Sequence, residues 1–158
     1  MPPALRSGQL RGRRIAAQDV DLLTNWRVAY ALEALGAVDS QGLYENCRSQ
    51  IERALQEETL WGLEEAGQPV ACSGFNSMLA EAVQIGGVWT PPAWRGRGYG
   101  RAVVAASLLD ARATGVARAI LFTGDANIPA QKAYLALGFR RVGDYRLLLF
   151  HTPVPGWP

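Results

Sequence analysis

Two groups of residues have the types and spacing for chemistry. The first is Arg95-Gly96-Arg97-Gly98-Tyr99-Gly100-Arg101, where three glycines alternate with large residues, three of them arginines. Glycine lets a backbone approach a ligand without an intruding Cβ. A helix start leaves about four N–H groups unpaired under a partial positive charge. An anion, most naturally a phosphate, suits such a place. The second group is Asn127, Tyr134 and Gly138. Asn127 and Tyr134 stand seven residues apart, close to two helical turns, so one helix face carries both. A phenol with a solution pKa of about 10 is protonated at neutral pH and able to donate there. Plainer alternatives stand beside each: a structural turn with surface arginines, a packing tyrosine, and an asparagine that only caps a helix.

Two familiar phosphate motifs fail. The dinucleotide pattern G-x-G-x-x-G would need its third glycine at Arg101. The P-loop needs Gly-Lys-Ser/Thr, and the only lysine is Lys132.

The elements around these residues follow from periodicity. Ala82 to Thr90 is rich in β-branched and aromatic residues and reads as a strand, ended by Pro91-Pro92. A helix follows the glycines from Ala102 and ends at Thr114-Gly115. Arg118 to Thr123 is a nearly continuous apolar run, expected to be covered on both faces and parallel to the first strand. Together these make a right-handed βαβ unit. Asn127 then caps a helix from Ile128 to about Leu137, stopped by Gly138. Phe139 to His151 reads as one long strand, or a hairpin bent at Gly143-Asp144, with His151 on the surface at its end.

Upstream, residues 1–8 read as a flexible tail and Leu10 to Ala16 as a short edge strand. Asp19 is the expected N-cap of a helix running to Gly36. Trp26, Tyr30 and Glu33 share one face of that helix, either as core or as the wall of a pocket. Ser40 opens a second helix to about Gln56, with Leu43, Cys47, Ile51, Ala54 and Leu55 on its apolar side. Thr59 to Glu65 and Pro69 to Met78 form a hairpin about Ala66-Gly67-Gln68.

Length and composition bound the function. A chain of 158 residues, 49% hydrophobic and 19% charged, fits one globular domain, residues 1–158, with flexible ends at 1–8 and 152–158. A net charge of +2 does not argue for nucleic acid. Cys47 and Cys72 lack metal spacing and make no disulfide framework, and Cys72 sits in an apolar strand as a small hydrophobe. No apolar run approaches membrane-spanning length and no signal-peptide pattern stands at the start, so a cytoplasmic protein is expected.

The stretch Gly87 to Arg101 resembles the acyl-CoA-binding motif of the GNAT superfamily of N-acetyltransferases, Arg/Gln-x-x-Gly-x-Gly/Ala, here Arg95-Gly96-Arg97-Gly98-Tyr99-Gly100. Asn127-x-x-Ala130-x-x-x-Tyr134-x-x-x-Gly138-Phe139 is similar to a later segment of the same superfamily. The resemblance covers about residues 59–150. It implies an α/β fold: a mixed, mostly antiparallel sheet with a parallel βαβ unit at its centre and helices on both faces. It implies acetyl-CoA as cosubstrate, no metal, and transfer of an acetyl group to a primary amine by direct attack on the thioester. The implied cofactor-binding residues are Val88, Trp89, Thr90, Arg95, Gly96, Arg97, Gly98, Tyr99, Gly100, Arg101, Asn127 and Tyr134. Within that set the Val88 N–H polarises the thioester carbonyl, Asn127 binds the pantetheine arm, and Tyr134 protonates the leaving thiolate.

The amine must lose a proton. Glu33, on the overhanging helix, and Glu81, just before the motif strand, are the candidate bases, although neither stands in a motif. Glu33 could instead attract the amine or pair with an arginine. The expected partner is a small-molecule or peptide amine, with no nucleic acid or membrane, and the protein a monomer or homodimer. Two other readings compete: a non-catalytic domain that binds or senses acyl-CoA, and a nucleotide-binding interaction module.

Overall fold

The computed structural model describes residues 1–146. Its elements in chain order are α1 (Pro3–Arg6), β1 (Leu10–Arg14), α2 (Val20–Ala34), α3 (Gln41–Gln56), β2 (Leu60–Glu65), β3 (Gln68–Met78), β4 (Ala82–Trp89), α4 (Tyr99–Ala113), β5 (Arg118–Leu121) and α5 (Ile128–Leu135). The strands lie in one sheet in the order β1-β2-β3-β4-β5. The first four pair antiparallel and β4 pairs with β5 parallel. The mixed sheet and the strand–helix–strand unit are those expected. Within the described residues the parallel pair closes one end of the sheet.

Strand alternation sends side chains to two cores. In β2, Leu60 faces one way while Trp61 and Leu63 face the other. Trp61, Leu63, Phe75, Val83 and Ile85 pack against Val103 and Val104 of α4. On the opposite face Leu60, Cys72 and Trp89 pack against Leu23 of α2 and Ile51 of α3. The sheet is thus clamped between α4 and the α2–α3 pair. Each buried aliphatic or aromatic side chain contributes about 1.5–3 kcal/mol to that clamp.

Several ends follow the chain's local chemistry. Ser40 Oγ accepts from the Leu43 N–H at 3.1 Å and opens α3. Glu65 and Gln68 close a two-residue hairpin whose Ala66 and Gly67 both have positive φ, 49° and 78°.

Other expectations change. Asp19 precedes α2 but does not cap it. Its carboxylate accepts from the Ala16 N–H at 2.7 Å and from both Arg13 Nη atoms at 2.7 and 3.0 Å. The Arg13 guanidinium holds that carboxyl below the usual range. A forked charge pair outweighs a single cap bond. Residues 3–6 form a helical turn whose Ala4 and Leu5 pack on the core, where a tail was expected.

The helix after the glycines begins at Tyr99, three residues before Ala102. Ile120 and Phe122 are each 50% exposed, so the apolar run at β5 is not covered on both faces. Residues 139–146 carry no strand. The remainder of the expected strand, with His151 and the tail at 152–158, lies outside the described residues.

Candidate functional site

The site begins where β4 and β5 part. Their parallel ladder ends at Ile85 opposite Leu121. Beyond it, Gly86, Gly87 and Val88 face Phe122, Thr123 and Gly124 across a cleft of about 700 Å³. The parting has a local cause. Between Gly86 and Trp89, β4 takes three steps while β3 takes two, from Gly74 to Cys72. This β-bulge holds Gly87 at φ 59°, a conformation that suits glycine. One extra residue reverses the facing of everything after it. Val83 and Ile85 therefore point toward α4, while Trp89 points toward α2 and α3.

β3 bulges nearby, with Asn76 as the extra residue between Phe75 and Ser77. Its amide lies across Gly86, where a Cβ would come within 2.2 Å of Nδ2 and Oδ1. Asn76 thereby becomes a wall of the cleft.

The glycine stretch adjoins this cleft. A Cβ on Gly100 would stand 3.7 Å from Thr90 Oγ1 and 4.0 Å from Val88 Cγ1. Gly96 and Gly98 have φ of 78° and 80°, and Gly98 is the N-cap of α4 with no side-chain cap. Among the described residues, the N–H groups of Gly96 through Arg101 find no acceptor; the first bond of the helix is from Ala102 N–H to Gly98 O at 3.0 Å. Arg101 Nε is buried without a partner. These unpaired donors are available to an acceptor from outside the chain.

The other two arginines differ from Arg101. Arg97 stacks on Trp94 at 5.0 Å. Arg95 forks onto Glu33 through two contacts of 2.9 Å, donates from Nε to Thr90 O at 3.0 Å, and covers the Trp89 ring at 4.7 Å. Tyr99 contributes only its backbone, since its ring is in the core and its hydroxyl donates to Glu65 at 2.5 Å. Trp89 is likewise 7% exposed and held in the α2–α3 core.

Along the opposite wall stand Asn127 and Tyr134, on one face as their spacing requires. Asn127 Oδ1 accepts from the Ala130 N–H at 3.2 Å and caps α5. Tyr134 is half-buried, and burial, with a smaller contribution from the neighbouring Tyr30 phenol, pushes its hydroxyl up to about 12. Asn127 thus serves as a helix cap and Tyr134 as a packing residue, and both line the cleft.

A second cavity of about 240 Å³ lies under α2 and α3. It shares Tyr30, Asn76, Gly86 and Gly87 with the cleft. Trp26 and Tyr30, read above as either core or pocket, are both: they pack against the α2–α3 core and line the pocket. Glu33 lines the cleft but is bound to Arg95. Glu81 is not brought to either cavity: it is exposed before the start of β4, and its carbonyl accepts from the Ala117 and Arg118 N–H groups. Gln84, the first cleft residue on β4, lies three residues further on, about 10 Å at 3.3 Å per residue.

Sequence reasoning missed Arg27 and Asn76 in the smaller cavity. The Gly86-Gly87 pair inside a strand was the available signal for the bulge. Among the described residues no group of three or more His, Cys, Asp and Glu side chains is placed to hold a metal ion. No described helix is long and apolar enough to cross a membrane.

The fold is a mixed α/β sheet opened between two parallel strands, with an uncapped helix start beside the opening. A model of the acetyltransferase (GNAT) family matches residues 20–139. The chain belongs to that family. Solved structures share the fold. A predicted acetyltransferase from Clostridium acetobutylicum, determined with acetyl-CoA, is 18% identical with a TM-score of 0.67, covering 90% of this chain and 99% of that one. The aminoglycoside N-acetyltransferase AAC(6')-Iy, determined with CoA, is 16% identical with a TM-score of 0.70, covering 90% and 95%. A transcriptional regulator from Bacillus halodurans is 19% identical with a TM-score of 0.71, covering 89% and 99%. No curated protein matches the chain.

Proposed function

We propose that the chain transfers an acetyl group from acetyl-CoA to a primary amine by direct attack of the amine on the thioester. The observation that carries this is the junction at Gly86 and Gly87, where a cleft beside the glycine loop meets a second cavity. One compartment suits a long anionic donor and the other a small acceptor. The unpaired N–H groups of Gly96 through Arg101 and the orphaned Arg101 Nε fit a pyrophosphate. When bound, acetyl-CoA supplies the activated acyl carbon. In the reaction a C–N bond forms, the C–S bond breaks, and the thiol leaves while the amine loses a proton.

The chain's part is positioning and charge. The Val88 N–H is assigned to the thioester oxygen, where a fixed donor stabilises developing charge. Asn127 holds the arm of the donor with the amide NH2 that its cap bond leaves over. The Tyr134 hydroxyl donates toward the departing sulfur. Both Glu33 oxygens are engaged by Arg95, so the amine proton is assigned to water or to the amine's own equilibrium. Holding both reactants in line supplies a large share of the rate.

Calorimetric titration with acetyl-CoA, CoA, ATP and NAD, at low and high salt, tests the donor. Acetyl-CoA and CoA should bind, more weakly as salt rises, and ATP and NAD far less. Failure of acetyl-CoA to bind refutes the reading. Binding without amine-dependent thiol release would favour the acyl-CoA-sensing domain instead.

A further inference from the structure

We infer that the amine acceptor carries a carboxylate, held by Arg27 in the smaller cavity, and that it is a free amino acid or a molecule of that chemistry. This rests on the acyltransferase reading and narrows its substrate class.

The size is the first argument. The cavity holds about 240 Å³, room for on the order of eight waters at about 30 Å³ each. That is the scale of an amino acid, below the usual range for larger ligands.

Charge is the second. Arg27 lies on the cavity wall with Nη1 3.5 Å from where a Gly87 Cβ would stand. Its guanidinium therefore reaches the junction where the amine must enter. Nε donates to Gln50 Oε1 at 2.9 Å, and the guanidinium covers the Tyr30 ring at 5.2 Å. These contacts fix the fork. Among the described residues no carboxylate comes within 4.0 Å of it. The other charged wall residues, Arg53 and Glu57, are exposed at the rim. The cavity thus has a net positive wall and a preset fork, which matches a carboxylate.

A polycationic acceptor would meet the opposite of what it needs. Glu33, the carboxylate that lines the cleft, is already taken by Arg95. Trp26, Ile51, Phe75 and Trp89 give the wall an apolar stretch that suits a hydrocarbon side chain, beside the polar Gln50, Thr59 and Asn76.

The test is a thiol-release assay with acetyl-CoA and three acceptor sets: free amino acids, their carboxamides, and diamines of matched length. Product mass confirms acetylation. Free amino acids should exceed their amides by roughly ten- to a hundredfold in kcat/KM, the worth of a charge-assisted pair. In Arg27→Gln that gap should close, and in Arg27→Lys it should narrow. Acetyl-CoA affinity measured on each variant reports folding, and Arg27→Lys decides if the glutamine variant does not fold. Amides or diamines used as well as the acids, or a gap that persists in both variants, overturns the inference while acyl transfer stands. Thiol release with none of the sets removes the acyl-transfer reading and this inference with it.

Discussion

Replacing Tyr134 with phenylalanine removes one oxygen from the cleft wall and leaves the ring in place. The ring packs edge-on against Phe139 at 6.0 Å and belongs to the α4-side core, so the fold should survive. The magnitude follows from the hydroxyl's environment. Burial raises it to about 12, while a simple thiol titrates near 8.5. Complete proton transfer to a thiolate would then be uphill by about 3.5 units, or roughly 5 kcal/mol. A donated hydrogen bond to the developing charge is the cheaper course and contributes about 1.5–3 kcal/mol. Turnover should therefore fall about 10- to 150-fold, below the range for a full general acid. The sign of the pH effect is also fixed. The neutral form is the donor and its titration is pushed upward, so no loss from Tyr134 should appear below about pH 10 in the wild type. The assay is steady-state thiol release at saturating acetyl-CoA, with affinity measured separately. A loss under threefold would make Tyr134 a packing residue. A parallel loss of affinity would make the hydroxyl a donor-positioning group.

Other expected outcomes follow from the same geometry. Gly98→Val forces a β-branched residue to φ 80° at a cost above about 1–2 kcal/mol; acetyl-CoA affinity should collapse while circular dichroism stays native, and unchanged affinity would clear the loop of pyrophosphate binding. Glu33→Gln breaks the fork to Arg95 but removes no base, so the acidic limb of the pH–rate profile should keep its position; a displaced limb would make Glu33 the proton acceptor. Burial pushes the Cys72 thiol up to about 12, and Cys47 is raised for the same reason. Neither should react with a thiol reagent at pH 8 until the chain is unfolded, and rapid labelling of the native protein would contradict their burial.

Much of this was legible from local physics. The α3 start at Ser40, the Ala66-Gly67 turn and the caps at Asn127 and Gly138 depend on a few neighbouring residues. So does the strand–glycine–helix order from β4 to α4. Asn127 and Tyr134 share a face because helical geometry alone puts them there. Asp19 defeated the same logic because the turn after β1 sets its carboxylate against the Arg13 guanidinium, six residues earlier. Glu81 stands near the motif strand in sequence, but an extended chain carries neighbours apart fastest.

What only the tertiary structure decided is where the chain opens and what lines the opening. The bulges at Gly87 and Asn76 arise from register between β3 and β4, and a single extra residue sends Trp89 to the other face. The charge of Glu33 is spoken for by Arg95, 62 residues away. Arg27 was one arginine among many until α2 and α3 closed over Gly87 and left it without a carboxylate. Sequence by itself determined most of the elements and the uncapped glycine-rich helix start, because those rest on contacts within a few residues. The smaller cavity is lined by residues from five elements, α2, α3, β2, β3 and β4, and their meeting is set by packing across the sheet, which no local pattern encodes.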